Sequence, residues 1–304
     1  MNKEKTLIVI TGPTASGKSA LAVEVALRLG ASVISADSRQ VYADIPIATA
    51  QPTTEERRGV PHHLVGHLPL EASYSAARFE EDALAIIGKE FGSGDHAVVC
   101  GGSMLYVDAL CNGIDLLPTV DEGLRNDLME RWRAEGDDWL LDRLKDLDPD
   151  HYGRVDRKNL KRVFHAVEVS LQAGQPYSSL LTGAKRERPF RIVKIALAME
   201  RERLFDRINR RVEMMMEAGL AEEARRIYPL RELNSLNTVG LKEMFAWIEG
   251  IWDLPTAVAR IQKNTRVYAK KQMTWHKKDA DIRYVDASLP GLADRVMDII
   301  GRRE

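Results

Sequence analysis

The chain has 304 residues, of which 44% are hydrophobic and 29% charged, values that exclude a wholly disordered protein. Its 44 Lys and Arg residues nearly balance 45 Asp and Glu, which excludes a polybasic architectural protein. The two cysteines, Cys100 and Cys111, form no CxxC pair, which argues against a disulfide scaffold or zinc ribbon. The first apolar run, residues 7–10, is too short for a signal peptide or membrane span, so we expect a cytoplasmic protein without membrane partners.

Strand and helix patterns alternate along much of the chain. Five short segments have the apolar composition of strands: residues 6–11, 32–36, 97–100, 191–198 and 282–285. Four longer segments have helical periodicity: residues 18–29, 201–228, 239–250 and 254–278. This alternation predicts an α/β fold with a parallel sheet and helices on both faces.

The middle of the chain has a different pattern. From about Asp121 to Gly183 there is helical periodicity and no strand pattern. We therefore predict an all-helical insertion domain, residues 121–189, within an α/β core made of residues 1–120 and 190–304.

The segment between the first strand and the first helix, GPTASGKS, fits the phosphate-binding motif GxxxxGK[ST]. Its members are Gly12, Pro13, Thr14, Ala15, Ser16, Gly17, Lys18 and Ser19. Backbone N–H groups, the helix N-terminus and the lysine would together bind a phosphate chain, and Ser19 could ligate Mg²⁺. The sequence thus predicts a core resembling the P-loop NTPases.

The motif does not identify the phosphate compound. An ATPase or kinase normally places an Asp at the end of a hydrophobic strand to hold Mg²⁺. Here the strand at 97–100 is followed by Gly101-Gly102-Ser103, and the acidic residue at a strand end near the loop is Asp37. This composition argues against ATP hydrolysis and against a small-molecule kinase.

Nine motifs follow one another along the chain: GPTASGKS at 12–19, SADSRQVY at 35–42, PHHL at 61–64, YSAARF at 74–79, GGSMLY at 101–106, Leu-Pro-x-x-Asp-x-x-x-Arg at 117–125, RINRRVEMMMEAGL at 207–220, GLKE at 240–243 and TRVYAKKQMTW at 265–275. In this order they resemble the tRNA dimethylallyltransferase family. The resemblance implies transfer of a dimethylallyl group from dimethylallyl diphosphate to the exocyclic N6 amine of the adenosine 3′ of the tRNA anticodon. The loop would then hold diphosphate as the leaving group.

The resemblance also implies roles for three residues. Asp37 would be the base that accepts a proton from the amine, and Ser103, where the family has Thr, would hydrogen-bond near the reacting atoms. Arg211 would stabilise charge developing on the diphosphate. Two of them have a plainer alternative: Asp37 can cap a turn, and Arg211 can pair with a glutamate on its own helix.

Two basic groups favour an RNA partner. Residues 260–278 contain many Lys and Arg residues but no acid, and a second basic group lies in the insertion. A merely solvated basic face is the alternative. The residues expected to bind the tRNA anticodon stem-loop, from the basic stretch and the resemblance, are Asp37, Ser38, Arg39, Gln40, Ser103, Arg125, Lys161, Arg162, Val163, Phe164, His165, Arg266, Lys270 and Lys271. The insertion and the core would clamp the stem-loop from two sides.

Besides Ser103, six positions depart from the family's usual residues: Ala48, Gln51, Met104, Asn159, His165 and Leu241. The family usually has Lys at position 51 and Arg at position 165, and the loss of these two cations could weaken tRNA binding. Three other functions stay open at this point: a dimethylallyltransferase acting on free adenylate, a small-molecule kinase, and a catalytically silent tRNA- or nucleotide-binding protein. We expect a monomeric, Mg²⁺-dependent enzyme whose partners are dimethylallyl diphosphate and tRNA.

Overall fold

The computed structural model describes residues 4–302, and within them the strands form one parallel sheet. Its strands are β1 (Thr6–Thr11), β2 (Val33–Ser35), β3 (His62–His63), β4 (His96–Cys100), β5 (Arg191–Ala198) and β6 (Ile282–Asp286). Their spatial order is β3-β2-β4-β1-β5-β6, and every neighbouring pair is parallel. The predicted α/β fold is therefore confirmed.

The helices are α1 (Lys18–Leu29), α2 (Thr54–Arg57), α3 (Ala76–Ser93), α4 (Met104–Asn112), α5 (Glu122–Leu147), α6 (Pro149–Arg154), α7 (Leu160–Ala173), α8 (Tyr177–Leu180), α9 (Arg201–Glu217), α10 (Leu220–Ile227), α11 (Leu241–Ile248), α12 (Leu254–His276) and α13 (Leu292–Gly301). In the part of the chain that the structure describes, no helix combines the length and apolarity needed to cross a membrane.

The central strand, β1, determines where the functional loops lie. It is buried along its whole length and pairs with β4 and β5, with Ile8 opposite Val98 and Val193. A strand covered on both faces is apolar throughout, which is why its sequence shows no polar alternation. Because parallel strands end at the same edge, the loops that follow β1, β2 and β4 are neighbours.

One helix prediction was wrong. The segment 201–228 is not a single helix, because α9 ends at Glu217 and α10 begins at Leu220. Gly219 lies between them with φ 99°, a left-handed conformation that interrupts the helical hydrogen bonds. Helices α3 and α4 and the short edge strand β3 were not predicted.

The chain divides into two compact units, one formed by residues up to Asn112 together with those from Glu187 onward. The other, Gly113–Arg186, contains helices and no strand among its residues. It starts before the predicted 121 because Asp115 accepts hydrogen bonds from the backbone N–H groups of Thr182 (3.1 Å) and Gly183 (3.4 Å), which joins the two connecting segments.

The helical unit has its own core. Leu140, Leu144 and Val167 are fully buried there, and Trp132 stacks on Phe164 with ring centroids 5.5 Å apart. This packing accounts for the helical periodicity of the sequence between 121 and 183.

Candidate active site

The phosphate loop joins the end of β1 to the start of α1. Gly12, Ala15 and Gly17 have positive φ angles of 144°, 63° and 97°, which wrap the backbone. A Cβ atom at Gly12 would lie 3.1 Å from the Leu197 carbonyl oxygen, so the close approach of β5 also favours glycine here. The strand–loop–helix arrangement that the motif requires is thus present.

The loop carries two marks of an anion site. Burial lowers the pKa of Lys18, so a negatively charged ligand would stabilise its charged form. The Ser16 hydroxyl is buried and has no hydrogen-bond partner among the described residues. Since buried polar groups are normally satisfied, this hydroxyl fits an oxygen-rich ligand.

Helices α9 and α12 hold the loop. The Arg207 Nε atom of α9 donates to the Ala15 carbonyl oxygen at 2.7 Å. The Gln272 Oε1 atom of α12 accepts from the Thr14 N–H at 2.9 Å. Arg207 and Gln272 lie within two of the motifs that carry the family resemblance, but neither residue has a sequence signal for its contact with the loop.

A cleft of about 650 Å³ opens beside the loop, lined by Lys18, Ser19, Asp37 and Arg211 among others. A second cleft, of about 720 Å³, shares Asp37 and Arg211 with it. Four predicted site residues, far apart in the sequence, therefore line one cleft at the carboxyl edge of the sheet, where open α/β sheets usually bind ligands.

Asp37 follows β2 and its carboxylate both caps a turn and lines the cleft. Its Oδ1 atom accepts from the backbone N–H of Arg39 (2.9 Å) and of Gln40 (3.4 Å). The other oxygen, Oδ2, has no hydrogen bond to the described part of the chain. Capping thus occupies one oxygen and leaves the second to accept a proton.

Ser103 positions the segment that carries Asp37. Its buried Oγ atom accepts from the Ser38 N–H at 2.8 Å and donates to the Ser38 Oγ atom at 3.1 Å. Its own N–H donates to the Ala36 carbonyl oxygen at 3.1 Å. A Cβ atom at Gly101 would lie only 2.1 Å from that oxygen, so the two loops meet too closely for any other residue at 101.

Arg211 is a half-buried cation on α9. Burial lowers the pKa of its guanidinium, and the nearby Asp37 carboxylate opposes this effect. Within residues 4–302, Arg211 has no ion pair with Glu213 or Glu217, the alternative considered from the sequence. A half-buried cation that lines a phosphate-loop cleft, without an ion pair to the described chain, suits an anionic ligand.

The side chains of Arg39 and Gln40 both donate hydrogen bonds to backbone carbonyl oxygens of neighbouring loops. Arg39 donates to the carbonyl oxygens of Asn234 (2.9 Å) and Ser235 (3.1 Å), while Gln40 Nε2 donates to those of Thr49 (3.2 Å) and Ala50 (3.0 Å). These contacts hold the loops around the cleft, so any contact with RNA would be additional to them.

Three of the expected tRNA contacts lie on α12. Lys270 and Lys271 are exposed, and Lys270 Nζ lies 5.5 Å from the centre of the Phe205 ring. Arg266 lies over the same ring and donates to Asn209 Oδ1 at 2.6 Å. These cations form no ion pair with a carboxylate of the described chain, so their charges are available to phosphate groups.

The insertion holds the remaining expected contacts. Lys161 and Arg162 are exposed, whereas Val163 and Phe164 are buried. Both side chains pack in the core of the helical unit, so a contact of these residues with tRNA, which stays a prediction, would have to be made by their backbone.

Arg125 and His165 share one buried carboxylate in that unit. Arg125 makes two hydrogen bonds of 2.8 Å to Glu168, and His165 Nδ1 lies 2.9 Å from Glu168 Oε1. Glu168, which the sequence analysis did not single out, therefore orients two of the expected RNA contacts.

Among residues 4–302, no group of three His, Cys, Asp or Glu side chains is arranged to hold a metal ion by itself. Ser19 is exposed in the cleft that Asp37 also lines. Mg²⁺ commonly takes one or two protein oxygens and completes its octahedron with phosphate oxygens and water, so this donor set fits it.

Comparison with known proteins gives a consistent set of relatives. The family model described as IPP transferase matches residues 40–279. A tRNA dimethylallyltransferase 1 of Phocaeicola vulgatus is 51% identical over 277 residues, covering 91% of this chain and 92% of that protein. A tRNA dimethylallyltransferase 1 of Bacteroides thetaiotaomicron is 50% identical over 279 residues, covering 92% and 91%.

Solved structures agree. The tRNA isopentenylpyrophosphate transferase of Bacillus halodurans is 36% identical, with a TM-score of 0.71 over 98% of this chain and 94% of its own. A eukaryotic dimethylallyltransferase acting on tRNA is 26% identical, with a TM-score of 0.82 over 99% of this chain and 80% of its own.

Proposed function

The chain belongs to the IPP transferase family, and we propose that it transfers a dimethylallyl group from dimethylallyl diphosphate to the N6 amine of the adenosine 3′-adjacent to the tRNA anticodon. The products are N6-isopentenyladenosine and diphosphate. The observation that carries the residue assignment is that Lys18, Asp37 and Arg211 line one cleft beside the phosphate loop.

The phosphate loop binds the diphosphate of the donor. The Ser16 hydroxyl, the Lys18 ammonium and backbone N–H groups of the loop supply donors around one anion. As the carbon–oxygen bond breaks, negative charge grows on the diphosphate. The N–H, O–H and ammonium groups of the loop therefore bind the departing diphosphate more strongly than they bind intact dimethylallyl diphosphate. That difference lowers the barrier.

Asp37 accepts the proton of the adenine amine. The amine is a weak nucleophile because its lone pair is delocalised into the ring, so a base is needed as the new carbon–nitrogen bond forms. The Oδ2 atom is free for this task within the described chain, while Oδ1 keeps the side chain in place through the N–H groups of Arg39 and Gln40.

Arg211 and Ser19 complete the site. Arg211 lines the cleft without a carboxylate ion pair in the described chain and places a positive charge near the leaving diphosphate. Ser19 would hold Mg²⁺ together with diphosphate oxygens, and the ion would neutralise charge on the leaving group.

RNA binding involves cations of each unit, all exposed except the half-buried Arg266. Arg266, Lys270 and Lys271 lie on α12, and Lys161 and Arg162 lie on α7. Their charges suit the phosphate backbone, while Arg125 and His165 are presented by Glu168. The target adenosine must leave its stack to enter a cleft, which costs least in a single-stranded loop.

The other functions fit less well. A kinase would need a carboxylate after β4, where Gly101 and Gly102 stand instead. A transferase acting on free adenylate would not require the basic residues of α12, and the relatives that are half identical to this chain carry names that specify tRNA.

The test is an acceptor panel with labelled dimethylallyl diphosphate and Mg²⁺. The acceptors are an anticodon stem-loop with adenosine 3′ of the anticodon, the same stem-loop with guanosine there, AMP and ATP. Label in the adenosine stem-loop alone is the expected result. Label in AMP or ATP would indicate a free-nucleotide transferase, and label in no acceptor would indicate a binding protein.

A further inference from the structure

Gln272 bridges the two loops that form the cleft. This side chain of α12 is 2% exposed. Its Oε1 atom accepts from the Thr14 N–H of the phosphate loop at 2.9 Å, and its Nε2 atom donates to the Gly102 carbonyl oxygen at 2.8 Å. A neutral primary amide suits this pair because the same planar group carries an acceptor oxygen and a donor NH₂ nitrogen.

The fit at Gly102 is close. A Cβ atom there would lie 2.3 Å from Gln272 Nε2, so glycine allows the amide to reach the backbone. One helical turn after Gln272, His276 Nε2 lies 3.0 Å from Thr11 Oγ1, which donates to the Gly101 carbonyl oxygen at 2.9 Å. Helix α12 therefore joins the ends of β1 and β4 at two successive levels.

The bridge continues to Asp37. Gly102 is followed by Ser103, whose Oγ atom accepts from the Ser38 N–H at 2.8 Å. Asp37 is the neighbour of Ser38, and its Oδ1 atom caps the same turn. A short series of hydrogen bonds and peptide links thus connects the loop that holds the diphosphate to the segment that holds the base.

We propose that Gln272 is a positioning residue that sets the distance between the diphosphate site and Asp37. The proposal rests on the proposed function, in which the leaving group and the proton acceptor must flank one reacting carbon and nitrogen. A displacement of about 1 Å at such a site can lower the rate about 100-fold while leaving binding nearly unchanged. Gln272 takes no part in bond making, so its effect is expected in kcat.

The sharpest variant is Gln272→Glu. A protonated carboxyl group accepts from the Thr14 N–H and donates to the Gly102 carbonyl oxygen, as the amide does, whereas the ionised form only accepts. Burial raises the pKa of a carboxyl group at such a position, which brings its titration towards neutral pH. We expect kcat of the variant, divided by that of the wild type, to rise at least tenfold between pH 8 and pH 5.5. A ratio that does not change with pH would overturn the proposal.

Gln272→Met tests the same bridge without a charge. We expect kcat to fall about 10- to 100-fold, with less than a threefold change in the KM for the stem-loop and in the Kd for inorganic diphosphate. Gln262→Met, a half-buried glutamine on the same helix, is the matched control and should keep wild-type kcat. Equal kcat in both variants, or losses in KM and Kd instead, would contradict a positioning role.

Gly102→Ala approaches the bridge from its other side, since the added Cβ displaces the amide. Combined with Gln272→Met, it should lower kcat by clearly less than the product of the two single effects, because the bridge can be broken only once. Fully multiplicative effects would show that the two residues act separately. If the wild type transfers no label to the stem-loop, the proposed function itself fails. Wild-type transfer with insensitive variants rejects only the bridge.

Discussion

Arg207 Nε lies 2.7 Å from the carbonyl oxygen of Ala15, which joins helix α9 to the phosphate loop. Arg211 is one turn further along the same helix and lines the cleft at that loop. Residues four apart lie on the same face of a helix, so one element both holds the loop and places a cation at its mouth. The basic motif RINRRV thus has one part that holds the loop and another that places a cation at the cleft.

Replacing Arg211 separates these parts. Arg211→Gln should lower kcat about 100-fold, because a charge that stabilises the leaving diphosphate is removed from a partly water-excluded cleft. Arg210→Gln, at the exposed neighbouring position, is the control and should stay within twofold of the wild type. Steady-state kinetics with the stem-loop would measure both. Wild-type kcat for Arg211→Gln would remove this residue from the catalytic site.

The exposed lysines of α12 are expected to make stem-loop binding depend on salt concentration. Lys270→Ala combined with Lys271→Ala should weaken stem-loop binding and reduce the slope of log K against log salt by about 1 to 2, one counterion for each lost phosphate contact. Lys89→Ala, an exposed lysine on α3, should change neither quantity. Binding titrations at several salt concentrations measure the slope, and an unchanged slope would exclude these two lysines from the interface.

The buried Glu168 carboxylate is expected to affect RNA recognition through the two side chains that it orients. Glu168→Gln should loosen Arg125 and His165, because a neutral amide replaces the buried carboxylate that orients both. We expect the KM for the stem-loop to rise about 5- to 20-fold with kcat nearly unchanged. The exposed Glu130→Gln on α5 is the control. A loss confined to kcat would contradict this role.

The buried His276 is expected to make the free energy of unfolding depend on pH. Burial lowers its pKa to about 4, with nearby Lys18 adding to the effect. Between that value and the ordinary histidine pKa near 6.5, the unfolded chain binds a proton that the folded chain does not. The contribution of His276 to stability therefore decreases as the pH falls through this window, by about 2 kcal/mol at pH 5. His276→Gln should show a smaller loss.

Urea unfolding at pH 7 and pH 5 measures this difference. Between pH 7 and pH 5, the urea concentration at the unfolding midpoint should fall further for the wild type than for His276→Gln. The other histidines are the same in both proteins, so the difference between the two falls reports on His276. Equal losses would mean that His276 titrates normally in the folded protein.

The elements that could be predicted from the sequence are those with a strong local pattern. β1, α1 and β5 were predicted with the bounds they have, because buried parallel strands and a glycine-terminated helix leave strong local signals. The break at Gly219 was missed because apolar and basic residues continue on both sides of it. Val163 and Phe164 were assigned to RNA by resemblance, whereas their burial follows from packing against other helices of the unit.

The candidate site likewise contains residues that sequence motifs identify and contacts that they do not. Lys18, Asp37 and Arg211 were identified by motif and resemblance, and the sheet brings them to one cleft. The contacts of Gln272, Glu168 and Arg207 could not be predicted, because a glutamine, a glutamate or an arginine within a helix has no sequence signal for a partner far along the chain. Such long-range contacts arise only from tertiary packing.

The most direct test of the account compares wild type with Asp37→Asn in single-turnover transfer from dimethylallyl diphosphate to the stem-loop. The asparagine retains an oxygen that can accept from the Arg39 N–H, so the turn is preserved while the proton acceptor is lost. We expect transfer to fall by about 10²- to 10⁴-fold, with the Kd for inorganic diphosphate within a factor of about three. Transfer at the wild-type rate would show that Asp37 is not the base, and equal loss of transfer and diphosphate binding would show that it supports the loop instead.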